Sequence, residues 1–254
     1  MPDDIRVLAV TWDGHTADAL ATRCAVPHVE LLAEAESTQD VAHVLAEKGA
    51  PAGTLVLADA QRAGRGRLGR SWSSQPGRGA WCTLIERPVD TKALEVLSIR
   101  VGLLVAEALD DLAGARIGLK WPNDLMLAGR KLGGILTEAR WSGASITWVA
   151  IGVGINVLAP TDVADAVGLR AGAQRTEVLK AIVRAVRSAA RAEGQLSREE
   201  LDRYRDRDML VGRRTLSPGA GTIVGIADSG AIIIDTATGA AQFRTGTIRL
   251  AEDA

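Results

Sequence analysis

The sequence predicts an α/β domain followed by a small all-β unit, and three observations carry that expectation. Between residues 29 and 208, apolar runs of strand length alternate with stretches of helical periodicity. From about Val211 onward the pattern changes to short β runs separated by glycine. Hydrophobic residues make up 47% of the 254, enough for one large domain and one small one. The expected organisation is a short N-terminal segment over 1–28, a principal domain over 29–208 and a small β domain over 209–254.

The first 28 residues show only a short helix near 15–24. VELLAEAE (29–36) reads as a strand; Ser37 or Thr38 then caps a helix running through Lys48, with Gly49 placed to end it. TLVLADA (54–60) and AWCTLIERP (80–88) are further strands, and the Gly-, Ser- and Arg-rich stretch between them is a long loop. Residues 92–112 carry apolar side chains at helical spacing and stop before Gly114. IGLKW (117–121), GGILTEARW (133–141) and ITWVAIGVGIN (146–156) read as strands, with turns expected at 122–130 and 142–145. Helices over 176–192 and 198–208 follow, and then the β runs TIVGIADSG, AIIIDTATG, AAQFRTG and TIRLA, the signature of a small barrel or sandwich.

Charge narrows the partners. With 30 Lys+Arg against 31 Asp+Glu the net charge is -1, so no global field draws the chain onto nucleic acid or an anionic membrane. Any anion site must be local. The two cysteines, Cys24 and Cys82, lie far apart and give neither a disulfide framework nor metal-ligand spacing, which suits a reducing cytoplasm. MPDDIRVLAV carries acids where a secretory signal needs positive charge, and no apolar run approaches the roughly 20 residues of a membrane span. A soluble protein is expected.

The local positive field lies between Asp59 and Glu86, where Arg62, Arg65, Arg67, Arg70 and Arg78 occur without an intervening acid. Guanidinium groups bind phosphate and carboxylate bidentately, and interleaved glycines let the backbone approach an anion closely. The segment also matches G-x-G-x-x-G at Gly64, Gly66 and Gly69. The dinucleotide reading, however, needs a helix to begin there, and SWSSQPGRGAW follows instead. A solvated basic loop is the bland alternative; RNA-binding RG segments recur in tandem and this one does not. Trp72 and Trp81 offer either stacking surfaces or core. Five arginines with no nearby acid in sequence predict a loop that is mobile until an anionic ligand supplies counter-charge.

KWPND (120–124) places a lysine at the end of a strand before a proline turn, and RKLGGIL (130–136) resumes an apolar strand, so Lys120 and Lys131 flank one turn. In IGVGIN (151–156), Gly152 and Gly154 leave one strand face bare, for close approach of a ligand or of another strand. His15, His28 and His43 are scattered upstream, and no G-x-S-x-G elbow is present, so nothing points to a covalent nucleophile.

In order, EST (36–38), QRAGRGRLGRSW (61–72), KWPND, RKLGGIL and IGVGIN resemble the motif set of bacterial biotin–protein ligases, from about residue 29 to the C-terminus. The resemblance implies a mixed-sheet catalytic domain of the biotin/lipoate ligase type followed by an SH3-like β-barrel. It implies biotin contacts from Ser37, Thr38, Gln39 and Gln61, then from Arg65, Gly66 and Arg67 in the loop, and from Lys131 and Gly154. It implies a nucleotide site drawn from Arg67, Arg70 and Trp72, with Asn123, Asp124, Lys131 and Asn156. Gln39 departs from the family's usual asparagine, which puts pocket geometry in question.

The implied chemistry is attack of the biotin carboxylate on Mg-ATP to give biotinyl-5'-adenylate, then transfer to a lysine of a biotin carboxyl carrier protein. Lys131, Arg65 and Arg67 would offset the repulsion between the two anions. ATP and Mg2+ are the implied cofactors, and no residue set identifies a metal site. Regulatory relatives carry a winged-helix domain for which the residues before Val29 leave no room, so the resemblance is to the monofunctional class. It implies a cytoplasmic monomer or homodimer that engages neither nucleic acid nor membrane. A lipoate or octanoate ligase of the same fold is the alternative, and it would want an apolar slot where Ser37, Thr38 and Gln61 offer polar partners.

Overall fold

A computed structural model describes residues 10–87 and 90–251. In chain order the principal elements are α1 (Ala17–Cys24), β1 (Val29–Ala35), α2 (Thr38–Glu47), β2 (Thr54–Gln61), β3 (Gly79–Glu86) and α3 (Thr91–Ala113). They continue with β4 (Gly118–Lys120), β5 (Asp124–Leu127), β6 (Arg130–Ser142), β7 (Ser145–Asn156), α4 (Arg175–Arg191) and α5 (Arg198–Arg205). The C-terminal strands are β8 (Arg214–Ser217), β9 (Gly221–Ile226), β10 (Ile232–Thr236), β11 (Gly239–Phe243) and β12 (Arg249–Leu250).

The first seven strands form one mixed sheet in the order β1-β2-β3-β7-β6-β5-β4. Only β1 and β2 run parallel, joined by the α2 crossover that such a pair requires; the other pairs are antiparallel. Strand periodicity splits the side chains between two layers. Leu55, Leu57, Leu84, Ile151 and Val153 join the large core with α3 and α4, whereas Val56, Ile85, Ala150 and Trp148 pack against Ala42 and Ala46 of α2. Covered on both sides, β3 is buried at every position, which is why it reads as an unbroken apolar run. Beside the N-terminus of α2 the β7 glycines let side chains approach the strand closely, Gln39 at Gly152 and Trp72 at Gly154.

The last five strands form a separate antiparallel sheet, β11-β10-β9-β8-β12, as a small appended β unit. Its apolar residues Ile223, Ile232, Ile234 and Leu250 belong to the same continuous core as the main sheet. The Trp121 indole N–H donates to the Gly230 carbonyl at 2.9 Å, and Arg244 pairs with Glu95 of α3.

Two expectations need correction. The stretch 122–130 is not a plain turn, because DLML pairs as β5 and a two-residue turn, Ala128 (φ 49°) and Gly129 (φ 77°), returns the chain into β6. Both turn residues with positive φ match the twist of a tight hairpin. A strand at 214–217 was also not anticipated among the C-terminal runs. β3 ends at Glu86, and Pro88, where the expected strand finished, lies outside the described residues.

Candidate active site

Ser37 caps α2, accepting from the Gln39 amide at 3.3 Å, and this brings the start of the helix to the glycine face of β7. Gln61, at the end of β2, accepts from the Thr38 amide (2.9 Å) and hydroxyl (3.2 Å) and donates to Ser74 Oγ at 2.7 Å. Thr83 donates to Thr38 Oγ1 at 2.8 Å. Gln39 is buried and donates to the Leu136 carbonyl at 3.1 Å, an acceptor that fixes which way its amide faces. Its Oε1 is buried without a partner. The longer amide lies against Gly152, where a Cβ would come within 3.2 Å of its Cδ.

The glycine–arginine loop is folded on itself. A Cβ at Gly64 would meet the Trp72 carbonyl at 2.5 Å, and the Gly66 amide donates to Arg70 O at 2.7 Å. A 3-10 turn over Arg67–Gly69 puts Leu68 at φ 56° and leaves it exposed at the tip, and no α-helix starts at the glycines. The dinucleotide arrangement is therefore absent from this segment.

The loop's arginines do not lack acids, which corrects the premise drawn from sequence. Arg65 pairs with Asp40 of α2 (2.9 Å) and Glu138 of β6 (3.0 Å), and Arg62 pairs with Glu36 (2.9 Å). Glu138 also bonds His43 at 2.9 Å, whose other ring nitrogen accepts from the Trp148 indole at 3.0 Å. Since an indole N–H only donates, His43 carries its proton on Nε2 and donates it to Glu138. Arg78 turns away and donates to the Ala159 carbonyl. Among the described residues, Arg67 and Arg70 have no ion-pair partner. Burial lowers the proton affinity of Arg67, and the Asp124 carboxylate opposes that shift.

Lys131 stands across the cleft. Its backbone is fixed by Asp165 O and the Val167 amide, both at 2.9 Å, while its ammonium pairs with Asp124 at 2.8 Å and lies 5.2 Å from the centre of the Trp72 ring. Trp72 packs edge-on against Trp81 at 6.3 Å and rests on Gly154, where a Cβ would come within 2.8 Å of its ring. Asn123 donates to the Ile135 carbonyl at 2.8 Å and shapes the turn into β6.

These groups line one cleft of about 190 Å3. It brings together Ser37, Thr38, Gln39 and Gln61 at one end with Arg65, Gly66, Arg67, Arg70 and Trp72 of the loop. Asn123, Asp124, Lys131 and Gly154 complete it. Asn156 is not on the lining; it is buried, its amide 3.5 Å from the Lys131 carbonyl, so it supports the lysine from behind. Sequence reasoning missed Gly246, Thr247 and Ile248, which reach the cleft from the small sheet, and Cys82 on the floor. Burial pushes the Cys82 thiol far up, so it stays protonated and inert. No cluster of three metal-ligating side chains occurs among the described residues. Asp124 is the only carboxylate on the lining, so a magnesium ion fits here only as a companion of nucleotide phosphates.

A mixed sheet with a glycine floor, a basic loop over it and a lysine opposite defines the class: an α/β domain with a basic cleft beneath a glycine–arginine loop. Residues 32–156 match the model of the biotin/lipoate A/B protein ligase family. The biotin–[acetyl-CoA-carboxylase] ligase of Mycobacterium tuberculosis is 32% identical over 229 residues, covering 82% of this chain and 79% of that protein. The chain belongs to the biotin/lipoate A/B protein ligase family. It is also 45% identical over 122 residues to the bifunctional ligase/repressor BirA of Bacillus subtilis, a match that spans 48% of this chain but only 38% of that protein. The biotin protein ligase from Aquifex aeolicus in complex with biotin and ATP superposes with a TM-score of 0.71 at 28% identity, covering 88% of this chain and 99% of that one.

Proposed function

We propose that the chain is an ATP-dependent biotin–protein ligase with its catalytic domain in residues 29–208 and a small SH3-like domain in 209–254. The observation that carries this reading is the polarity of one cleft. Hydrogen-bonding side chains at the N-terminus of α2 suit the ureido ring of biotin, and Lys131 and Arg67 face the end where its carboxylate and the α-phosphate would meet. Relatives named as biotin ligases, one of them solved with biotin and ATP, support it.

A carboxylate oxygen of biotin attacks the α-phosphorus and pyrophosphate leaves, giving the mixed anhydride biotinyl-5'-adenylate. An acceptor lysine amine then attacks the acyl carbon and AMP leaves. Lys131 and Arg67 offset the repulsion in the first step, a contribution of about 3–4 kcal/mol for a well-placed donor. When bound with ATP, Mg2+ neutralises phosphate charge. Arg65, already shared by Asp40 and Glu138, anchors the loop as well as facing the cleft. Trp72 screens the apolar part of the ligand.

The acceptor is a biotin carboxyl carrier protein, the compartment is the cytoplasm, and the unit is a monomer or homodimer that engages no nucleic acid. No described helix is long and apolar enough to cross a membrane. Pyrophosphate release that requires both biotin and Mg-ATP, followed by labelling of the carrier protein, is the expected result. Release driven by lipoate or octanoate in place of biotin would reassign the substrate.

A further inference from the structure

We infer that Arg175, at the start of α4, is a positioning residue that clasps the downstream base of the glycine–arginine loop and sets how that loop closes. The inference rests on the reading that the cleft takes biotin and ATP. Arg175 lies outside the cleft and in none of the sequence motifs, so it acts through other residues.

A cation in the first turn of a helix opposes the helix dipole, so its place there needs compensation. Arg175 is almost fully buried and spends its whole fork. Nε donates to the Gly79 carbonyl at 3.0 Å, Nη1 pairs with Asp13 at 2.8 Å and Nη2 with Asp59 at 2.5 Å. The guanidinium face sits 4.2 Å from the Trp12 ring. Asp59 in turn accepts from the Gly77 amide at 3.2 Å. One guanidinium thus ties Gly79, the first residue of β3, directly and Gly77, at the end of the loop, through Asp59.

Those ties matter because Gly79 has no slack. A Cβ there would meet the Trp81 ring at 2.3 Å, so the backbone lies directly on that ring. Trp81 contacts Trp72, and Trp72 lies beneath the Lys131 ammonium. The upstream base of the loop is held independently, by backbone bonds from Arg62 and Ala63 to Ala35 and Glu36. The downstream base is tied at Arg78, whose carbonyl accepts from the Val157 and Leu158 amides at 2.9 and 2.8 Å, and the Arg175–Asp59 clasp adds the hold on its neighbours Gly77 and Gly79. A lysine, with one compact charge, does not reproduce the fork that reaches Gly79 and both carboxylates. Asp13 is the arm that joins the clasp to the N-terminal segment.

Hydrogen exchange on the ligand-free protein and steady-state pyrophosphate release test the clasp together. Arg175→Lys is expected to speed exchange at Gly77 and Gly79 at least tenfold and to raise KM for biotin at least fivefold, with kcat within twofold. Asp13→Asn, which loosens only the N-terminal arm, is expected to leave both readouts within twofold of wild type. If Arg175→Lys does not fold, Asp59→Ala must show the same pair of changes. Unchanged exchange and KM in the folded variant would overturn the inference, as would an equal KM rise in Asp13→Asn, which would mark a general loss of stability. A wild-type protein without biotin-dependent pyrophosphate release would instead sink the functional reading, and the exchange comparison would still decide the clasp.

Discussion

Lys131 is held from three directions, by the backbone of residues 165–167, by Asp124 and by the Trp72 ring, so in the proposed reaction its ammonium would be already placed. Lys131→Ala is expected to fold normally yet slow adenylate formation at least tenfold, since about 1.4 kcal/mol of lost transition-state stabilisation already costs that much. Ligation from preformed biotinyl-adenylate should suffer less, and an unchanged rate of biotin-dependent pyrophosphate release would remove Lys131 from the chemistry. Asp208 supplies a pH prediction. Burial pushes its carboxyl up to about 6, against hydrogen bonds from the Leu210 and Val211 amides that pull it down. With the folded pKa raised, the stability associated with the neutral form is full below the unfolded pKa and is lost as pH rises to about 6. Above that the fold carries a charged, desolvated group. Asp208→Asn keeps an acceptor for Leu210, so it should raise Tm at pH 8 and leave it unchanged at pH 4; equal shifts at both would show that charge is not the cause. At this scale the motifs located most of the lining, from Ser37 to Gly154, because each motif is local. Arg175, Asp40 and Glu138 carried no such signal: their partners lie tens to more than a hundred residues away in sequence.

Strands β1, β2, β3 and β7 were legible because apolar runs bounded by glycine and proline leave little else for the chain to do. β5 was not, because four residues between Pro122 and Gly129 are too few to show a period, and their pairing is set by β6. The arginine loop shows the converse limit. Its composition suggested an anion site, but Glu34 of β1, Glu36 just after it, Asp40 of α2 and Glu138 of β6 pair with Arg62 and Arg65, and charge that arrives by folding is invisible in a local window. This changes where the loop should be vulnerable. Arg65 is tied down, whereas Arg70 is exposed and unpaired beside the strained Leu68 tip. Trypsin is therefore expected to cut after Arg70 or Arg67 in the free protein, with little cutting after Arg65. Biotin with Mg-ATP should suppress that cleavage at least fivefold, because closure over an anionic ligand recruits the two free guanidinium groups. Equal rates with and without ligand would mean that the loop takes no part in capture.

At the scale of the whole molecule, the change of pattern near Val211 marks a change of sheet but not a break in the core. Ile223, Ile232, Ile234 and Leu250 pack in the same cluster as α3 and the main sheet, and Gly246–Ile248 line the cleft. Sequence periodicity reports which residues are apolar and is silent on which sheet they bury against, so the change of strand pattern was visible and the shared core was not. Gly230 is one point where the small unit meets α3 and Trp121. Its φ of 76° lies in the left-handed region, its carbonyl accepts from Trp121, and a Cβ there would come within 2.8 Å of Ile99 Cδ1. One continuous core predicts that the full chain unfolds in a single calorimetric transition, with calorimetric and van't Hoff enthalpies in agreement. Gly230→Ala combines backbone strain with overpacking and should cost about 1–3 kcal/mol, lowering Tm by several degrees. It should also weaken ligand capture, because it shifts the sheet that carries Gly246–Ile248. Two resolved transitions in the wild-type protein, or a Gly230→Ala variant with unaltered Tm and KM, would mean that the small sheet is an independent unit that merely neighbours the cleft.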